Sequence, residues 1–265
     1  MEKRSDPGPA ICHRQKRASM SSALVSCIVP VYNGARYLRE ALYSIFAQSY
    51  RPIEVIVADD GSTDATVGVV ASYGAAVRCV TQATAGPPAA RNLGLRAARG
   101  EFVAFLDADD LWHPEKLARQ MARFAARPSL GVSVTHIKNF WIPELAEEEE
   151  LFRNDPRTGA LPGYVTMTLL ARRTLFDAVG PFDESLWHTD AGDWFLRAAE
   201  RGTFIEMLAD VLVYHRMHHT NLSRRHGAGS REEFVRLVKR SLDKRRKDGQ
   251  PARPFDAFSD AEEGD

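Results

Sequence analysis

From residue 24 onward, short apolar runs alternate with longer stretches in which apolar residues recur every three or four positions. Four runs, at 24–29, 53–58, 77–81 and 102–106, are rich in Val, Ile and Phe and read as strands. Between the first two, Leu38, Leu42, Ile45 and Phe46 form one stripe at helical spacing. Leu93 and Leu95, with the alanines around them, mark a further helix that Gly100 would stop. Pro114 falls just inside the start of the next, where its missing N–H costs nothing. This order predicts βαβ units and a Rossmann-like, mostly parallel sheet with helices on both faces, the α/β class.

After a fifth strand at 131–135 the alternation breaks. The stretch 142–162, with Pro143, Pro156, Gly159 and a run of four glutamates (Glu147, Glu148, Glu149, Glu150), reads as a mobile surface loop with a solvated charge run. Regular structure resumes at 165–170, with helices near 172–179 and 192–201 and strands near 204–207 and 211–214. A basic helix is expected over 231–247. Residues 1–22 are polar and lack the apolar core of a signal peptide, so they read as a disordered leader, with Met20 a plausible initiator. The tail after Arg246 reads as frayed. The expected division is a leader at 1–22, a first half at 23–135, a smaller second half of the same domain at 136–229, and a terminal helix and tail at 230–265.

Composition narrows the function classes. With 35 basic and 35 acidic residues the 265-residue chain is formally neutral, which argues against a nucleic-acid partner. No apolar run approaches the roughly 20 residues of a membrane-spanning helix. Cys12, Cys27 and Cys79 have neither metal-pair spacing nor an even count, so a reduced, cytoplasmic setting is expected.

The candidate chemistry gathers after the strands. The first is followed by Pro30-Val31-Tyr32-Asn33-Gly34, the second by Asp59-Asp60-Gly61-Ser62-Thr63-Asp64, and the fourth by Asp107-Ala108-Asp109-Asp110. In parallel α/β sheets, ligands bind outside the carboxyl ends of the strands. Carboxylates crowded on one rim repel unless a cation or ligand donor compensates them, and oxygen ligands suit magnesium or manganese. Each aspartate alone can equally cap a helix or form an Asx-turn. Arg91 is either a phosphate ligand or a solvated surface arginine.

These motifs carry a resemblance. Residues 26–117 resemble the nucleotide-binding half of inverting family-2 glycosyltransferases of the GT-A fold, through Ile-Val-Pro-Val-Tyr-Asn, Ile-Val-Ala-Asp-Asp-Gly-Ser-Thr-Asp, Ala-Arg-Asn-Leu-Gly and Phe-Leu-Asp-Ala-Asp-Asp. The resemblance implies a metal-dependent transfer from a nucleotide-sugar, a UDP-sugar favoured, to a saccharide or lipid-linked acceptor. It implies that Pro30, Tyr32, Asp59 and Arg91 hold the nucleotide and that Asp107 and Ala108 line the donor. Asp109, Asp107 and His218 would bind Mn or Mg, with His215 the alternate histidine.

Later in the chain, Asp190-Ala191-Gly192-Asp193-Trp194 resembles the family's Glu-Asp-x-Asp-Trp motif, whose second acidic residue normally acts as general base. Without a gap that position is Ala191, which cannot take a proton. Asp190 and Asp193 are the catalytic candidates, with an unrelated base or an inactive enzyme left open. Trp187 is a candidate for an acceptor groove and Trp194 for the core. Two other functions compete: a nucleotide-sugar-binding protein without transfer activity, and a nucleotidyltransferase, for which a Gly-rich phosphate loop is missing after strand one. A lipid-linked acceptor would require peripheral membrane contact, for which the basic stretch 236–247 is the candidate.

Overall fold

The computed structural model describes residues 22–153, 155, 158–224 and 229–247. The expected leader (apart from its last residue), Pro156 of the expected loop and the tail beyond residue 247 lie outside the described residues.

The first half follows the hydrophobic pattern. Strands β1 (Val25–Val31), β2 (Ile53–Asp59), β3 (Arg78–Thr81) and β4 (Phe102–Phe105) are parallel, in the order β3-β2-β1-β4. Helices α1 (Leu38–Phe46), α2 (Thr66–Ala71) and α3 (Pro87–Ala97) connect them. Because side chains alternate across a strand, β1 feeds both cores. Cys27, Val29 and Val31 join Leu38, Leu42, Ile45 and Val69 on one face, whereas Ile28 joins Val103, Phe105, Phe176 and Trp194 on the other.

Helix α3 departs from the expected stripe. Leu93 and Leu95 are only half-buried, Leu95 still packing against the second core, and Gly94 brings the helix backbone onto Ile28 and Ala58 of the sheet. A Cβ at Gly94 would lie 2.3 Å from the Ile28 side chain, so backbone closeness outweighs side-chain size here. Pro114 lies in the turn before α4 (Lys116–Ala126), not inside it, and its carbonyl accepts the N–H of Ser49.

The second half makes the sheet mixed. Strand β8 (Leu170–Arg172) runs antiparallel between β4 and β6 (Leu130–Trp141); β6 pairs in parallel with β9 (Phe204–Met217). A short strand β5 (Leu111–Trp112), not foreseen from the sequence, pairs antiparallel with β9. The two strands expected near 204–207 and 211–214 are one strand, whose register shifts at Thr135/His136 absorb Ala209 and Asp210.

The expected loop at 142–162 is largely structured among its described residues. It holds helix α5 (Ala146–Leu151) and strand β7 (Leu161–Pro162), paired with β6. Glu147, Glu148 and Glu149 occupy the first turn of α5, where the helix dipole favours negative charge. Glu148 is not merely solvated: it accepts from Trp141 Nε1 at 3.0 Å and pairs with Arg224. Helices α6 (Arg173–Val179) and α7 (Asp190–Glu200) cover the second core, and α8 (Gly229–Lys247) packs at the start of α7.

Lys116 is fully buried at the start of α4, with Nζ 2.9 Å from Gln120 Oε1 and 4.4 Å from the Trp112 ring centre. Burial brings its pKa down from 10.5 to about 7. Between about pH 7 and 9 the unfolded chain therefore binds this proton more fully than the folded one, and stability rises with pH. The window stops short of Cys27, whose thiol burial pushes up to about 12 and which acts in the opposite sense above pH 9. His215, with its pKa lifted to about 9, loses stability over the same range, so the Lys116 contribution is read by difference. In urea unfolding at pH 7 and pH 9 the wild type should gain up to about 1.4 kcal/mol per pH unit relative to Lys116→Met.

Candidate functional site

The loops after β1 and β2 are laced together. Asn33, held at φ 51°, uses Oδ1 to accept the N–H of Thr63 at 2.7 Å, while Ser62 Oγ accepts the N–H of Asn33 at 2.8 Å. Gly34 N–H donates to Thr66 Oγ1 and Ala35 N–H to Asp64 Oδ2. This leaves Pro30 buried at the end of β1 and Tyr32 on the rim, 54% exposed. Asp59 is buried at the end of β2, and among the described residues its carboxylate meets only the N–H of Ser62, at 3.3 Å from each oxygen. Its neighbour Asp60 is saturated by Gln82 Nε2 and the N–H groups of Ala85 and Gly86 at 2.8–2.9 Å. The two adjacent aspartates therefore differ: Asp60 fixes the loop before α3, and Asp59 keeps acceptor capacity toward the rim.

Arg91 is buried, which removes the surface reading. Its Nη1 lies 2.7 Å from Asp190 Oδ2 and its Nη2 lies 3.2 Å from Asp107 Oδ1. Its Nε is buried without a hydrogen-bond partner among the described residues. One guanidinium thus joins the acidic turn after β4 to the first residue of α7. Burial raises the Asp190 carboxyl above the usual carboxylate range, and the nearby Arg91 charge offsets only part of this.

The acidic turn is clamped by β9. Asp110 is fully buried and accepts from Arg216 N–H at 2.8 Å and meets His215 Nδ1 at 2.9 Å. Burial pulls the His215 imidazole down, but the Asp110 carboxylate more than offsets it and lifts the pKa to about 9. Arg216 Nε donates to the carbonyl of Asp109 at 2.8 Å, and its guanidinium carbon lies 4.6 Å and 4.8 Å from the ring centres of Tyr37 and Phe140. Asp109 then faces His218, with Oδ2 2.8 Å from Nε2. Burial works against ionising Asp109, but His218 and His215 together hold its carboxyl below the usual range. Asn221 closes the turn after β9 by bonding His218 N–H and Arg216 C=O.

Of the metal candidates, Asp109 and His218 converge, while Asp107 is engaged by Arg91. Among the described residues no group of three or more His, Cys, Asp or Glu is placed to hold a metal. Ala108 lies beside Gly34, where a Cβ would come within 3.4 Å of its own. Asp193 is buried away from the rim, paired with Arg197 Nε at 2.7 Å and with the Arg240 guanidinium. Trp194 is wholly buried and stacks on Phe176 at 4.6 Å, as core; Trp187 is 44% exposed beside Gly86. Ala191 packs half-buried against the second core and offers no proton acceptor.

Residues 26–181 match the model of glycosyl transferase family 2. The chain belongs to that family. A glycosyltransferase of Rickettsia typhi is 32% identical over 208 residues, covering 74% of this chain and 65% of its own length. One of Nostoc sp. is 32% identical over 214 residues, covering 74% and 66%. The chain thus spans just under two thirds of these relatives. Among solved structures, S. aureus TarS 1–349 aligns with a TM-score of 0.61 at 25% identity, covering 82% of this chain and 64% of that one. The mannosyltransferase PcManGT from Pyrobaculum calidifontis, in complex with GDP-Man and Mn2+, aligns with a TM-score of 0.65 at 24% identity, covering 90% and 68%. These neighbours share the GT-A fold expected from the sequence.

Sequence reasoning missed Arg216 and the partners from α8, and it placed Asp110 in the acidic cluster without its role as the buried anchor of the turn. Arg216 sat in view between His215 and His218, but only the β5–β9 pairing shows that it reaches the acidic turn. Asp60→Ala should cost about 2 kcal/mol in urea unfolding, since it leaves the buried N–H of Gly86 without its acceptor and loosens the N–H of Ala85 and the half-buried Gln82 amide. Asp59→Ala should cost clearly less, because fewer and longer bonds are lost.

Proposed function

We propose that the chain transfers a sugar from a nucleotide-diphosphate sugar, a UDP-sugar favoured, to an acceptor hydroxyl with inversion at the anomeric carbon, in a metal-dependent reaction. The observation that carries this reading is the Arg91 bridge, which sets Asp190 of α7 against the donor turn at Asp107.

The residues fit a divalent cation that arrives with its phosphates. At this rim five carboxylates, Asp59, Asp107, Asp109, Asp110 and Asp190, outnumber the guanidinium groups of Arg91 and Arg216 and the His215 imidazole, so an added diphosphate increases a negative excess. Asp109 Oδ2 and His218 Nε2 supply one carboxylate and one imidazole, and magnesium commonly keeps waters and substrate phosphates as its other ligands. Thr220 N–H donates to His218 Nδ1 at 3.3 Å, which leaves the ring proton on Nε2 toward Asp109; a metal held between the two side chains would take that proton's place. When bound, Mn or Mg would neutralise charge on the departing nucleoside diphosphate. PcManGT was solved with Mn2+, and TarS with UDP and with UDP-GlcNAc, which supports both preferences by likeness.

In this reading the chain's own residues take the following parts. Tyr32 and Pro30 border the nucleotide pocket, and Asp59 accepts from a base or ribose donor. Ala108 leaves room beside Gly34 for the donor. Arg91 orients Asp107 and Asp190 toward each other across the rim. Asp190 is the preferred base: it stands at the donor rim, and its raised carboxyl pKa suits accepting a proton. Asp193 is the weaker candidate because two guanidinium groups hold it. Residues 23–135 would form the donor side and 136–229 the acceptor side, facing a saccharide or lipid-linked acceptor.

One second reading has a specific observation behind it. Ala191 occupies the usual base position, and Asp190 already bonds Arg91, which favours a protein that binds the donor without transferring it. Nucleotide release from a panel of nucleotide-sugars with manganese separates the two. Turnover with at least one donor is expected, falling about a hundredfold or more in Asp109→Ala. Retained UDP binding with neither transfer nor hydrolysis of any donor would favour the binder. In the pH–rate profile, activity should fall on acidification at a higher pH than an ordinary carboxylate gives, since Asp190 must be unprotonated to act.

A further inference from the structure

Helix α8 is pinned along one side and bare along the other. Glu233 accepts from the N–H groups of Trp187 and His188 at 3.3 and 3.0 Å, Leu237 is buried near Gly192, and Ser241 bonds Glu200. Arg240 pairs with Asp193 and lies 3.7 Å from Asp183. These contacts fix the rotation of the helix. Phe234, Val235 and Leu242 consequently point outward, 53%, 64% and 41% exposed. With Val238 they line an open groove that also includes Lys239 and Arg246. At 3.6 residues per turn the four apolar positions fall within an arc of about 100°.

Charge is as uneven as hydrophobicity. Residues 229–247 carry eight Lys or Arg against three Asp or Glu, a net of plus five in a chain whose total is zero. An apolar stripe bordered by Lys and Arg on an otherwise polar helix suits the headgroup region of a bilayer, where the stripe enters the acyl boundary and the cations meet anionic lipid. A second copy of the chain suits it less. Symmetric pairing would set the same positive helix against itself, and four apolar side chains supply only part of the about 800 Å² per partner that stable interfaces bury.

We propose that the outward face of α8, centred on Phe234, Val235, Val238 and Leu242, is a docking surface for an anionic lipid bilayer. The proposal does not depend on the transfer reaction. It adds to the sequence expectation of peripheral contact the apolar face that enters the bilayer. It also adds an orientation, since α8 is fastened to the start of α7, so docking holds the Asp190 side of the molecule toward the lipid.

The test is co-sedimentation of the full chain with vesicles of phosphatidylglycerol and phosphatidylcholine in equal parts, and with phosphatidylcholine alone. The chain should pellet with the anionic vesicles, weakly with the neutral ones, and less at about 0.5 M NaCl, where surface charges are screened. The double substitution Phe234→Glu, Val235→Glu should lower the partition coefficient by about tenfold or more. Its circular dichroism and its turnover with a soluble acceptor should stay unchanged. Lys239→Glu with Arg246→Glu should remove mainly the salt-sensitive part. Equal pelleting of wild type and the double variant overturns the proposal, as does failure of the wild type to bind anionic vesicles. A dimer in analytical ultracentrifugation that the double variant abolishes, without vesicle binding, would assign the face to a second copy. Each of these failures leaves the transfer reading standing, because that reading rests on turnover without lipid.

Discussion

Burying a guanidinium is costly unless carboxylates accept its donors, and Arg91 has one on each side. Asp107 comes from the turn after a central strand, and Asp190 begins a helix more than eighty residues later. Neither half of the chain contains the whole constellation, so the site exists only when α7 is packed against the sheet. That packing is done by Trp194, Phe176 and Phe182, a buried aromatic cluster with no polar function of its own beyond the Trp194 N–H bond to Gly180. Removing either carboxylate would leave a buried cation partly unpaired, which typically costs about 3–5 kcal/mol. Stability and site geometry are therefore coupled at one side chain.

A second constraint holds the acidic turn from the other direction. Asp110 accepts from β9 through Arg216 N–H and His215, and Arg216 returns a bond to the carbonyl of Asp109. The sandwich of Arg216 between Tyr37 and Phe140 fixes that guanidinium against α1 and β6. Three consecutive acidic-turn residues thus have distinct tasks. Asp109 faces His218 at the surface of the pocket, Asp110 anchors the turn in the interior, and Ala108 keeps a small side chain beside Gly34.

Much of the first half was legible because its strands are short, apolar and separated by stripes at helical spacing. β1, β2, β3 and β4 appear within two residues of their expected limits. What was illegible depends on tertiary partners. Leu93, Leu95 and the alanines around them marked α3, and Ala89, Ala90 and Leu95 do pack inward, but nothing local says that Gly94 lets the helix come so close to Ile28. Glu147 to Glu150 looked like a solvated run, because nothing local reveals that Trp141 and Arg224 wait for Glu148. The split of β9 into two strands came from reading Ala209 and Asp210 as a break, when β6 absorbs them as a bulge. At the site, the residues Asp59, Arg91, Asp107, Asp109 and His218 were named from motifs, but their partners were not: no spacing says that Arg91 reaches Asp190.

The claim that matters most is that Asp190, placed by Arg91, takes the role that Ala191 cannot. It is tested most directly by single-turnover transfer with Asp190→Asn and Asp193→Asn, alongside calorimetric UDP binding for each. The account predicts that Asp190→Asn keeps UDP affinity within a few-fold and slows transfer by about a hundredfold or more, while folded Asp193→Asn retains most of its rate. An unchanged transfer rate in Asp190→Asn with donor binding intact would contradict it.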